Sequence, residues 1–197
     1  MYAILRVTII FLLCFICIKR LKDKQLNTKR NMIIVIVLFM FCSTVFNFIP
    51  IENYFMNFSS PEQVFNYMYN SDIELVVEGK HSALVIGEDN KRNDSFSIVS
   101  KSQDGWKIST TLNEKRKDTI VTSDFLINLI YHKKTDEYYI VVDIFSETSK
   151  PLDSCESSFV FFERDNSYYA YISEYNDNYW IEINGNRYTF DKEFYYQ

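Results

Sequence analysis

Hydrophobic residues along this chain follow three patterns. They are nearly continuous from Tyr2 to Ile18 and from Met32 to Ile51, recur at helical spacing over Val64, Phe65, Tyr67 and Met68, and from Ile73 onward come in short runs separated by polar turns. The two continuous stretches approach the ~20 residues that cross a ~30 Å hydrocarbon layer at about 1.5 Å per residue. They therefore predict a transmembrane helical hairpin. Arg6 interrupts the first stretch about one turn from its end, from where a long side chain can snorkel to the interface.

The segment between the stretches carries Lys19, Arg20, Lys22, Lys24, Lys29 and Arg30 against the single acid Asp23. Positive-inside bias then predicts a cytoplasmic loop over 19–31, a multi-pass protein of the cell membrane, and an extracytoplasmic domain over 60–197. A signal peptide over Tyr2 to Ile18 is the competing reading, but the stretch lacks a basic leader and a small-residue cleavage site. Cys42 follows Phe39-Met40-Phe41 rather than small residues, so a lipoprotein signal does not fit. Ser43, Thr44 and Asn47 offer polar interhelical contacts.

Beyond the hairpin, Ser60-Pro61-Glu62-Gln63 reads as a helix start, with Ser60 as N-cap, Pro61 in the first turn and Gln63 closing a capping box. Ile73–Glu78 and Ser82–Glu88 flank Gly79-Lys80-His81 as a β-hairpin. Phe96 and Ile98, then Trp106, Ile108, Thr110 and Leu112, alternate across the turn Ser102-Gln103-Asp104-Gly105. Phe125–Tyr131 and Tyr138–Phe145 read as a further pair of strands, although Ser123-Asp124 would also cap a helix there. Phe159–Phe162, Tyr168–Ile172, Tyr179–Ile183 and Arg187–Phe190 follow, separated by Asp165-Asn166, Asn176-Asp177-Asn178 and Asn184-Gly185-Asn186, whose chemistry is that of tight turns. The predicted fold is α+β: the hairpin, one short leading helix and a mostly antiparallel β-meander of roughly eight to ten strands.

Charge divides the chain in the same place. Of 21 basic and 26 acidic side chains, residues 1–50 hold 7 and 1, which leaves 14 and 25, a balance of −11, for residues 51–197. Such a surface suits a basic or neutral partner and argues against nucleic acid. Solubility alone also accounts for the sign. Cys14, Cys17 and Cys42 lie in the apolar stretches and only Cys155 lies beyond them, so no internal disulfide staples the β-rich domain.

Catalytic signatures are sparse. His81 and His132 are the only histidines, without metal-ligand neighbours, and no zinc motif or nucleophile elbow is present. The acidic residues are too many for any pair to be nominated as general acid and base. Asp89-Asn90 to Asp94 and Asn176-Asp177-Asn178 are oxygen-rich but lack the calcium-loop spacing. Asn57 and Asn93 head glycosylation sequons that matter only in a eukaryotic secretory setting. Tyr168, Tyr169, Tyr171, Tyr175, Tyr179, Tyr188, Tyr195, Tyr196 and Trp180 could form an aromatic platform for a glycan or peptide, while alternation turns about half of them to the core.

The order SPEQVF, then LVVEGKHSALVI, then DGWKI, over Ser60 to Leu112, resembles small membrane-anchored bacterial proteins of uncharacterised function whose outer domains open with a Pro-Glu helix and continue as a β meander. The resemblance implies a membrane stem and an extracytoplasmic domain, and no site residue. Combined with the charge balance, the expectation is a non-enzymatic protein, integral in the lipid bilayer, whose acidic domain binds a protein, peptide or envelope polymer, with no cofactor and no metal. The alternatives are an immunity or inhibitor protein against a basic toxin or enzyme, a carboxylate-dependent envelope hydrolase, and an accessory subunit of a membrane complex.

Overall fold

The computed structural model describes residues 2–23, 28–69, 71–88, 94–110, 113–176 and 178–190, in two compact units, Met1–Met56 and Asn57–Gln197. Leu112, Asp177, Tyr195, Tyr196, most of the Asp89–Asp94 segment and the sequon residue Asn93 lie outside the described residues, as does the side chain of Asn47.

In the first unit α1 (Tyr2–Asp23) packs against α2 (Thr28–Phe48), and a 3-10 turn follows at Ile51–Tyr54. Ile10, Cys14 and Cys42 form the buried contact, joined by Val35, Leu38 and Phe46. Small, polarizable thiols suit such a close approach. Thr44 donates to the Met40 carbonyl of its own helix at 2.9 Å instead of crossing to the other helix. Arg6 does not snorkel. Its Nε and Nη2 donate to the two carboxylate oxygens of Glu52 at 2.8 and 3.1 Å, and Glu52 is fully buried.

Among the described residues no helix is long and apolar enough to cross a membrane. This overturns the transmembrane hairpin predicted over 2–18 and 32–51, the cytoplasmic loop 19–31, the bilayer as a partner and the multi-pass cell-membrane location. The extracytoplasmic placement of 60–197 loses its basis with them. In α1 charge interrupts the apolar run: the helix continues through Lys19 and Arg20 to Asp23, and Arg6 is held inside the unit by an ion pair. The apolar run alone had suggested a span.

The second unit is layered. α3 (Pro61–Tyr69) is capped by Ser60, with the Gln63 backbone N–H donating to Ser60 Oγ at 3.4 Å, while the Gln63 side chain reaches one residue past the expected cap, the Ser59 backbone N–H donating to Gln63 Oε1 at 3.1 Å. It packs on a four-stranded antiparallel sheet of β1 (Asp72–Glu78), β2 (Ser82–Glu88), β3 (Asp94–Ser102) and β4 (Gly105–Lys107). A five-stranded antiparallel sheet comes next, in the order β5 (Glu114–Val121), β6 (Phe125–His132), β7 (Glu137–Ile144), β10 (Ser167–Ile172) and β9 (Val160–Phe162). The last layer is a three-stranded sheet of β12 (Asn186–Thr189), β11 (Trp180–Ile183) and β8 (Leu152–Asp153). The strands thus form three sheets, where a single meander was expected. After β7 the chain leaves the five-stranded sheet, lends β8 to the edge of the third, and returns as β9 and β10.

Alternation assigns the faces. Phe125, Ile127, Leu129, Ile140, Val142, Ala170 and Ile172 face the third sheet and meet Tyr179, Ile181, Ile183 and Phe190. Ile130, Tyr139, Val141 and Tyr169 face the first sheet and meet Val77, Leu84, Ile86 and Ile98. The central sheet is therefore buried on both sides, and β2 is too, because Gly87 on its opposite face lies against Phe65 of α3. The helix that Ser123-Asp124 could have capped is absent; those residues precede strand β6 instead.

Two predictions follow from this packing. A Cβ on Gly87 would stand 2.6 Å from both the Asp72 carbonyl oxygen and the Phe65 ring, so Gly87→Ala should lower the stability of the β-rich unit by about 1–3 kcal/mol in denaturant unfolding; a neutral result would mean the strand shifts freely. Glu52→Ala removes the carboxylate that pairs the buried Arg6 guanidinium and should destabilise the helical unit by about 3–5 kcal/mol, while the double variant Arg6→Met, Glu52→Leu recovers most of the loss. Thermal loss of the helical circular-dichroism signal reads both, and an equally damaged double variant would deny that the Arg6 charge left without Glu52 is the cause.

Candidate functional site

The first and central sheets meet as a wedge, latched at one end and open at the other. At the latch Glu137 is 5% exposed and accepts from Ser82 Oγ, from the His81 backbone N–H at 2.8 Å and from the Tyr171 hydroxyl at 3.2 Å. Ser82 also lies 2.8 Å from the Tyr139 hydroxyl and accepts from Thr135 Oγ1 at 3.3 Å. His132, wholly buried, stands between Thr135 Oγ1 at 2.7 Å from Nδ1 and Ser109 Oγ at 3.2 Å from Nε2, and Ser109 meets Ser100 at 2.6 Å. One proton order satisfies the chain: Ser100 donates to Ser109, Ser109 to Nε2, Nδ1–H to Thr135, Thr135 to Ser82, and Ser82 to the Glu137 carboxylate. His132 is then a neutral Nδ1–H tautomer. Burial, aided by the nearby Lys134 charge and opposed by Glu137, pushes its pKa down to about 4.

Ser109 and His132 have the spacing of a nucleophile and its base. Ser109 is only 3% exposed, however, and neither residue lines the cleft described next. The arrangement holds a proton order inside the core and ties the two sheets together.

At the other end the sheets separate around a cleft of about 430 Å³, within the size range of small-molecule sites. Its floor is apolar: Leu84, Ile86, Ile130, Val141 and Tyr169. Its walls carry Asn128, Asp143, Ser167, Asp165 and Arg116, and its mouth carries Phe96 and Phe145, which are 53% and 60% exposed. Asp143 accepts from Ser167 Oγ at 2.8 Å and from Asn128 Nδ2 at 3.4 Å, while the Asn128 carbonyl accepts from Thr119 Oγ1 at 3.2 Å. Asp165 accepts from the Tyr169 hydroxyl at 3.2 Å and pairs with Arg164 at 3.3 Å. Burial and these neighbouring carboxylates raise the pKa of Tyr169, which keeps its hydroxyl a donor. Arg164 also grips Glu74 and Glu88 of the first sheet, each at 2.6 Å, a second tie between the sheets beside the cleft.

On the far face of the central sheet a β-bulge at Lys117 re-aims that side chain, the register slipping between Arg116 and Asp118. The Lys117 ammonium lies 5.7, 4.7 and 4.6 Å from the ring centres of Tyr131, Tyr138 and Tyr175, and donates to the Tyr138 hydroxyl at 3.1 Å. Tyr138 stacks between Tyr131 and Tyr175 at centroid distances of 4.8 and 4.3 Å. The cation is held by three ring faces.

The residues singled out in the sequence are dispersed. His81 contributes its backbone, Cys155 Sγ donates to the Glu174 carbonyl at 3.0 Å, and the Asn57 amide oxygen accepts from Lys107. Asn178 N–H closes an ordinary turn on Asn176 Oδ1 at 2.9 Å. Of the aromatic platform, Tyr169 and Tyr179 are core residues, Tyr188 packs edge-on to Phe125, and Trp180 is covered by Arg187 at 4.1 Å. Among the described residues no group of His, Cys, Asp and Glu is arranged to hold a metal. The cleft residues Arg116, Asn128, Asp143 and Ser167 were not singled out. The one available signal was polar positions on strands that otherwise bury both faces.

No known family model, curated protein or solved structure matches the chain. The site is therefore read from its own chemistry.

The latch makes stability depend on pH with a definite sign. His132 binds a proton more weakly folded than unfolded, where its pKa is near 6.5, so its contribution is complete above about pH 6.5 and declines as pH falls toward about 4. The loss should approach about 3 kcal/mol in denaturant unfolding across that window. His132→Asn should flatten this segment; an unchanged slope in the variant would show that other groups carry it.

Proposed function

We propose that the β-rich unit is a binding module that takes a small amphipathic ligand into the cleft between its first two sheets. A single observation carries the reading: an apolar floor of Leu84, Ile86, Ile130 and Val141 is walled by the hydrogen-bonded set Asn128, Asp143 and Ser167 in one concave site. Apolar floors supply affinity through water release, and a few placed polar groups fix orientation. The two sheets are tied at the latch and again by Arg164, so the cavity is preformed and little ordering accompanies binding. Membrane anchoring has no part in the proposal. The balance of −11 in residues 51–197 also disfavours polyanions such as nucleic acid.

The neutral dye N-phenyl-1-naphthylamine, which brightens in apolar surroundings, tests the reading on the full chain. Leu126 lines the cleft and is only partly buried, so Leu126→Trp fills the space from one wall. Wild type should show a saturable component that this variant weakens about tenfold or more. The difference separates the cleft from dye bound to exposed apolar side chains of the helical unit, such as Ile4 and Phe11. Equal titrations of wild type and variant would defeat the proposal.

A further inference from the structure

The lining of the cleft carries two opposite charges that no described residue pairs. Arg116 and Asp143 both line it, and among the described residues neither forms an ion pair. Asp165, the other carboxylate on its walls, pairs with Arg164, a cation it shares with Glu74 and Glu88. Asp143 receives only neutral donors, Ser167 and Asn128, which orient it and leave its charge in place.

Strand register sets the separation. Arg116 lies opposite Ile130, Ile130 lies opposite Tyr139, and Asp143 is four residues further along the same strand as Tyr139. At about 4.8 Å between strands and about 3.4 Å per residue, the two backbones are roughly 17 Å apart. An extended tripeptide, about 10 Å at roughly 3.3–3.6 Å per residue, is shorter than this separation, and the two side chains can make up the difference. Between them the floor is hydrocarbon. The neighbouring bulge lies within β5, where Lys117 is clamped by three tyrosines while Arg116 turns to the opposite face.

We propose that the ligand class is a short apolar peptide with free termini, its carboxylate on Arg116 and its ammonium on Asp143; this rests on the cleft reading above. A guanidinium can pair both oxygens of a carboxylate, and Asp143 retains acceptor capacity for an ammonium. Apolar side chains would occupy the floor over Leu84, Ile86 and Ile130.

Calorimetric titration of the full chain with trileucine, its N-acetyl form, its C-terminal amide and the doubly blocked form tests the assignment. In wild type, blocking either end should weaken binding about tenfold. Arg116→Gln should abolish the effect of amidation and keep that of acetylation, and Asp143→Asn should do the reverse. Retained dye binding shows that each variant keeps its fold and cleft. If free and doubly blocked peptides bind equally, or if the two variants show the opposite pattern, the ligand assignment is wrong. Dye binding without peptide binding overturns the ligand class and spares the cleft; loss of both in wild type removes the two proposals together.

Discussion

A five-stranded antiparallel sheet covered on both faces is the constraint from which the rest of the β-rich unit follows. Antiparallel sheets commonly leave one face to water, but here α3 and the first sheet lie to one side and the third sheet to the other. Both residue parities along β6, β7 and β10 must therefore be accommodated inside. Apolar positions manage this by packing. Polar ones must find partners, since burying an unpaired polar group costs about 1–3 kcal/mol. His132, Glu137, Asn128 and Ser167 are the polar residues that this layer accepts, and each has hydrogen-bond partners.

Those polar residues cluster at opposite ends of the same interface, and the clustering shapes the molecule. At the Ser82 end the partners reach across from one sheet to the other and hold the layers at contact. At the Gly87 end Asn128, Asp143 and Ser167 bond chiefly along their own sheet, and the layers separate. Rigidity and access are thus properties of one interface. The same strands that make the wedge tight at Tyr139 make it open at Asp143, four residues later.

The local grammar of the fold was legible. The capping sequence at Ser60–Gln63 starts α3, and alternation located most strands to within a residue or two. β5 was missed because Glu114-Lys115-Arg116-Lys117-Asp118 reads as a solvated charge run, and an edge strand can carry such a run when its outer side faces water. β8 is two residues long and exists only because β11 offers an edge. The division into three sheets depends on which edges meet, which no local period encodes. Of the site, the alternation argument correctly sent Tyr169 and Tyr179 inward, but the partnership of Arg116 with the cleft requires the bulge, and the latch joins residues up to 57 positions apart. Arg6 was misjudged for a related reason: its partner lies 46 residues away, so its sequence surroundings suggested snorkelling where the fold supplies a carboxylate.

That long separation has a consequence in time. A ribosome adding roughly 5–20 residues per second makes Arg6 roughly 2–9 s before Glu52, 46 positions later. Throughout that interval the first helix carries a cation whose Glu52 partner has not yet been made. The Arg6–Glu52 pair can form only after the turn at Ile51–Tyr54 has emerged, later than the residues of the apolar contact at Ile10, Cys14 and Cys42. The ion pair is thus a late contact of the unit, available during synthesis only once every residue of that buried apolar contact has been made.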